Sequence, residues 1–243
     1  MKKYAFCALF LCNIVSLSAQ TASTNEGVIL FEEKMNLHRR LAADDERKAF
    51  IPEFRTSKME LYFKGDECLY KPVEEDEDEQ PAGGGGMRMR MGGMNSEIYR
   101  NFATEKRVEQ RDAMGKKYLI EDTLKIVAWK LGTETKKVLN YDCMKATFED
   151  TARKQKITAW FTDAIQLTAG PSSFGSLPGM VLAVDINEGE IVYKAMKIDL
   201  KAVKAEDIKA PIKGEKITQV EFRKKMEEMM KRNGGQGMRV IRQ

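Results

Sequence analysis

The sequence predicts a mainly β fold of the α+β kind: a curved antiparallel sheet or half-barrel with one C-terminal helix, behind a cleaved leader. Three observations carry this. Short runs of β-type alternation recur between Gly27 and Lys197, separated by turn residues. The gaps between most of them are far shorter than the dozen or so residues that a parallel crossover needs, so neighbours pair antiparallel. Only the stretch after Thr218 carries a helical start signal followed by helical spacing.

The leader comes first. Lys2 and Lys3 give a positive start, Tyr4 to Val15 is apolar apart from Asn13, and Ser16-Leu17-Ser18-Ala19 supplies small residues for a cut after Ala19. That order is the secretory pattern, and the apolar run falls short of the ~20 residues a spanning helix requires. Residues 1–19 are therefore expected to leave, with 20–243 forming a single domain that is periplasmic, outer-membrane-associated or secreted. Losing Lys2 and Lys3 takes 41 basic residues to 39 against 37 acidic ones. A net charge so near balance points to no nucleic-acid partner. No later segment is long and apolar enough for a transmembrane span in the mature chain.

Along the mature chain, Gly27 to Leu37 alternates as a first strand. Arg39 to Phe50 is a charged helix or ordered loop that Pro52 ends. Ser57 to Val73 forms a hairpin turning at Lys64-Gly65-Asp66-Glu67. Further strands are expected at Ile98 to Thr104, Lys106 to Asp112, Lys117 to Glu121, Lys125 to Leu131, Thr135 to Leu139, Tyr141 to Glu149 and Lys156 to Thr162. Met180 to Ile186 and Glu190 to Lys197 pair across Asn187-Glu188-Gly189. On β spacing, Trp160 and Phe161 point to opposite faces, one for the core and the other either to line a cavity or to form a second hydrophobic layer. Thr218 caps a helix from Gln219 to about Arg232, with Val220, Phe222, Met226, Met229 and Met230 as its apolar stripe and Asn233-Gly234 as its stop.

Residues 74–96 break the pattern. Six consecutive acids, Glu74 to Glu79, precede four glycines, Gly83 to Gly86, and then Met87, Met89, Met91 and Met94. Like charges repel and glycine loses much entropy on ordering, so this is expected to be a disordered loop between strands. Thioethers are soft ligands, and these four methionines form a candidate Cu(I) site; Arg88 and Arg90 among them oppose a cation. Cys68 and Cys143 are the cysteines left after the leader goes. Export permits a disulfide between them, and two separate buried thiols are the alternative.

Residues 141–186 are the most informative stretch. They hold Cys143-Met144-Lys145-Ala146, then Ala159-Trp160-Phe161-Thr162, then Gly170-Pro171 and Ser176-Leu177-Pro178-Gly179-Met180-Val181. In their order these pieces resemble the GLPGLI family of exported bacterial proteins, closely over about 45 residues. Here Ser176, Met180 and Val181 replace the family's first Gly, its Leu and its Ile. The resemblance implies an exported β-rich domain and no particular activity. Physically, Leu177 before proline is pushed toward extended backbone, and Pro178-Gly179 suits the middle of a type II turn that launches a buried strand.

Chemistry is sparse. His38 is the only histidine and sits beside Arg39 and Arg40, which disfavours a catalytic or zinc role. No phosphate-binding glycine loop is present. The sequence reading is therefore a non-catalytic envelope or secreted binding or assembly protein, not an enzyme and without a cofactor. Its partner is an envelope protein or an apolar ligand; copper binding and a lipid carrier lined by Trp129, Trp160 and Phe161 are the alternatives. Expressed with its leader in a Gram-negative host, the chain is expected to be recovered beginning at Gln20; an intact-mass measurement that finds Met1 retained refutes the cut.

Overall fold

The structure, a computed structural model, describes residues 25–73, 96–113 and 115–237. The alternation becomes twelve strands: β1 (Glu26–Asn36), β2 (Phe54–Lys64), β3 (Glu67–Pro72), β4 (Ser96–Asn101), β5 (Lys106–Ala113), β6 (Lys116–Thr123), β7 (Lys130–Val138), β8 (Tyr141–Asp150), β9 (Gln155–Thr162), β10 (Met180–Ile186), β11 (Ile191–Asp199) and β12 (Glu215–Ile217). One α-helix, α1 (Gln219–Gly237), ends the described chain. All twelve strands share one open sheet in the order β12-β6-β5-β4-β3-β2-β1-β11-β10-β9-β8-β7. It consists of two meanders, β1–β6 and β7–β11, spliced where β1 pairs antiparallel with β11. The sheet is mixed because β12 runs parallel to β6.

Two expected strands merge. Of the expected strand at Lys125 to Leu131 only Lys130 and Leu131 are strand, and they join the Thr135 to Leu139 run in β7, with a register shift between Leu131 and Thr135; residues 125–129 lie outside the sheet. Gly132 is no turn: it lies in the irregular stretch of this edge strand, where a Cβ would make only ordinary contact with Lys145 of β8. Arg39 to Phe50 settles as two 3-10 turns, His38–Arg40 and Glu46–Ala49, the second capped by the Asp45 side chain. The helix begins where expected, with a reciprocal cap. The Glu221 N–H donates to Thr218 Oγ1 at 3.2 Å, and the Thr218 N–H donates to the Glu221 carboxylate at 2.9 Å. It continues past Asn233-Gly234, and Val220 of the expected stripe faces solvent while Phe222 is buried against Tyr118 and Ile120.

The two faces of the sheet have different fates. The inner face carries Ile29, Phe31, Leu61, Phe63 and Tyr70, and the linker between β9 and β10 lies on it. Ile165, Leu167 and Ala169 of this linker share one core cluster with those residues. On the outer face of β1–β6, Val203, Ile208 and Ala210 pack over Leu69, Tyr99, Val108 and Leu119. The inner face is thus filled by the chain's own linker. Among the described residues, the linker occupies the place where a lipid carrier would need an apolar cavity.

Arg100 fastens the linker. This residue of β4 is 2 % exposed, and its Nη2 and Nη1 donate to the carbonyls of Gly170 (2.6 Å) and Phe174 (2.9 Å). Trp129 holds the same linker from the other meander, its Nε1 donating to the Gly175 carbonyl at 2.8 Å. Gly170 is required by space, since a Cβ would stand 2.5 Å from Val181 Cβ.

The turn at Pro178 is not type II. The Gly179 N–H donates to the Leu177 carbonyl at 2.7 Å, two residues back, which makes a γ-turn centred on proline. The Met180 N–H, which a β-turn would direct to Leu177, donates instead to the Ile165 carbonyl at 3.1 Å. The linker outcompetes the local turn, and Leu177 is buried beneath it. Gly179 has φ +142, and a Cβ there would come 2.1 Å from the Thr162 carbonyl oxygen. Gly179→Ala is therefore expected to destabilise the fold by about 2–4 kcal/mol; a denaturant midpoint unchanged from wild type would show that this backbone approach is not needed.

Candidate functional site

On β7–β11 the outer face is left uncovered. The registers place residues in straight rows across it. Val192, Asp185, Thr158, Thr147 and Lys130 follow one another across five strands, and Lys194, Ala183, Trp160 and Lys145 form the next row. With strands about 4.8 Å apart, the longer row spans roughly 19 Å. These rows floor a groove of about 1020 Å³.

Trp160 is the platform of this groove, since the alternation of β9 sends Phe161 into the core at 1 % exposure and leaves Trp160 half-buried. Lys136 from β7 lies with its Nζ 4.2 Å from the centre of the Trp160 ring. Burial lowers the Lys136 pKa, and the nearby Asp185 opposes that while Lys194 adds to it. Lys145 is engaged by Glu134 at 2.7 Å, and Asp185 accepts the Gly189 N–H at 2.7 Å. The groove therefore combines the aromatic face of Trp160, hydroxyls from Thr147 and Thr158, three carboxylates at Asp185, Glu149 and Glu188, and a surplus of lysines.

A second polar cluster lies on the inner face. Burial raises the pKa of Glu33, which hydrogen-bonds Tyr193. Tyr193 also reaches Ser172, and burial pushes its pKa up. The Tyr70 hydroxyl is buried with no partner among the described residues. Phe174 packs against Tyr193 with ring centres 5.7 Å apart, so the linker covers this cluster.

The residues singled out from sequence gather elsewhere. Gly170, Pro171, Leu177, Pro178 and Gly179 belong to the linker and shape the core. Met87, Met89, Met91 and Met94 lie outside the described residues, as do the leader and nearly all of the 74–96 loop. Cys68 and Cys143 are buried free thiols. Among the described residues no group of three or more His, Cys, Asp or Glu is placed to hold a metal ion. None of their helices is long and apolar enough to cross a membrane. Sequence reasoning missed Lys136, Thr147, Thr158, Asp185 and Lys194. Their signal was present as polar residues of one parity on adjacent strands, but it gains meaning only once the registers are known.

Residues 102–224, half of the chain, match the family model described as "N-glycanase peptide, N-terminal domain". The chain belongs to this family. Two solved structures of PNGF-II, in space groups P21 and C2, share its fold with TM-scores of 0.53 and 0.55. Each is 14% identical and covers 82% of this chain, while the chain spans 32% of each PNGF-II chain. No curated protein matches the chain. The family assignment corrects the GLPGLI resemblance: the Trp160–Thr162 and Leu177–Gly179 pieces that carried it are local solutions to strand packing and linker closure. It also displaces the reading of a non-catalytic assembly protein, with its copper-binding and carrier alternatives, because the family is named for an enzyme.

Cys143 pairs with Lys136 across the edge of the groove, and burial pushes its thiol from the ordinary 9.0 up to about 11. Between those values the unfolded chain releases the proton more readily than the native one. The contribution of Cys143 to stability is thus full below about pH 9 and lost as the pH rises to about 11. Melting curves across that window are expected to fall less steeply for Cys143→Ala than for wild type; identical slopes would contradict the shift.

Proposed function

We propose that the chain acts in N-glycanase-type processing of glycoproteins, with the Trp160 groove as the surface that meets the glycan. The observation that carries this is the coincidence of family and site. A member of an N-glycanase domain family leaves one long polar groove uncovered, with an aromatic ring at its floor. A sugar ring has a face of C–H bonds that stacks on an aromatic side chain, while its hydroxyls need donors and acceptors around the edge. Trp160 offers the first, and Thr147, Thr158, Asp185 and Glu149 offer the second. The groove is open and polar, which suits a hydrophilic, extended ligand better than a small apolar one.

On this reading Asp185 and Glu149 hold sugar hydroxyls and are the groove's candidates for moving a proton at a bound substrate. The leader at 1–19 would deliver the domain to the periplasm, the outer membrane or the exterior, where glycoproteins are met. The test is calorimetric titration with an N-glycosylated peptide, paired with mass spectrometry for glycan release. The wild-type chain is expected to bind. Trp160→Ala, at a half-buried position that leaves Phe161 in the core, is expected to bind about tenfold more weakly, near 1.4 kcal/mol. A wild-type chain that neither binds nor processes the glycopeptide, or a variant equal to wild type, refutes the proposal.

A further inference from the structure

The charge of the groove narrows the substrate class, given that the groove meets a glycan. Six lysines line it, at positions 130, 136, 137, 145, 156 and 194, against three acids, Glu149, Asp185 and Glu188. The lining is therefore net +3, in a mature chain whose overall charge is nearly balanced. Two of the lysines are neutralised: Lys145 by Glu134 at 2.7 Å and Lys137 by Asp142 at 3.1 Å. Lys130, Lys136, Lys156 and Lys194 make no ion pair among the described residues. Elsewhere lysines occur both paired, as Lys64 is with Glu26 and Lys225 with Glu215, and without an ion pair among the described residues, as at positions 197 and 213. What marks the groove is that its unpaired lysines gather on one floor.

Its geometry is equally pointed. Lys194 lies in the row of Trp160, separated from it only by Ala183, whose side chain is too small to block the path between them. Lys136 reaches the same ring from β7, the opposite side of the groove. Two ammonium groups thus flank one aromatic platform. Asp185 beside them already accepts the Gly189 N–H, and Glu32 of β1 stands opposite Lys194 without an ion pair to it among the described residues. Like charges held close over a partly desolvated floor repel one another, and an anion placed between them relieves that cost.

We propose that the groove selects an acidic glycan, with the ring of one sugar stacked on Trp160 and a carboxylate or sulfate substituent held between Lys136 and Lys194. The lysines at positions 130 and 156 lie further along the same floor and favour an extended anionic chain over an isolated charge. The contact is electrostatic and half exposed, so it weakens as salt rises and the Debye length shrinks.

The experiment titrates the full chain with a sialylated N-glycopeptide, its desialylated counterpart and a sulfated N-glycopeptide. The same titrations are run with Lys136→Gln/Lys194→Gln and with Lys136→Arg. The expected result is acidic over neutral binding by roughly tenfold in about 0.05 M salt, falling toward parity in about 0.5 M. The double Gln variant is expected to lose the preference, and Lys136→Arg to keep it. Tighter binding by the sialylated peptide identifies a carboxylate as the acid, and tighter binding by the sulfated one a sulfate. Equal binding of acidic and neutral peptides by the wild type overturns this inference and leaves the glycan reading standing. A preference that survives in the double variant overturns the assignment to these two lysines. Binding of none of the peptides overturns both readings.

Discussion

The fold turns on one buried cation. Arg100 sits in β4, inside the first meander, yet both of its terminal nitrogens are committed to the β9–β10 linker of the second. No carboxylate among the described residues compensates it; backbone carbonyls do, and its Nε has no partner there. Hydrogen bonds from a charged donor contribute about 1.5–3 kcal/mol each, and a buried guanidinium stripped of them would be costly to keep. The sheet itself joins the meanders only along β1 and β11. Arg100 adds a second joint, across the inner face, and holds the linker down where Ile165, Leu167 and Ala169 can fill the space over Phe31 and Leu61.

From that joint the division of the two faces follows. With the inner face filled by the linker, the outer face of β1–β6 is covered by the segment around Val203 and Ile208. The outer face of β7–β11 receives no such cover. A strand there has one side in the core and one in water, and its exposed parity can carry residues that packing does not dictate. Trp160, Lys136 and Lys194 stand on this free parity, while Phe161 and Tyr193, chain neighbours of Trp160 and Lys194, are held in the core. The proposed site lies where the fold makes the fewest demands.

The same division explains why local sequence resemblance misled. Leu177-Pro178-Gly179 is shaped by a γ-turn, a buried leucine and a glycine pressed against the Thr162 carbonyl. These are constraints of closure. The family assignment rests on 102–224 as a whole, a stretch that takes in the groove, the linker and the start of the edge helix together.

By itself the sequence determined the number and place of most strands, the Asn187-Glu188-Gly189 turn and the Thr218 helix cap. Each of these is a local matter of alternation, turn chemistry or an orphan N–H. It also placed Trp160 and Phe161 on opposite sides, because a period of two needs no partner strand to be read. Tertiary structure decided the rest. β12 pairs parallel to β6 across nearly a hundred residues, and no local pattern encodes that. Arg100 looks like any strand arginine until the linker arrives to bury it. The groove exists only because five registers align Lys130, Thr147, Thr158 and Asp185 in one row, with Lys194 and Trp160 in the next. Spacing along a chain fixes which way a side chain points; which side chains share a surface is fixed by pairing between strands.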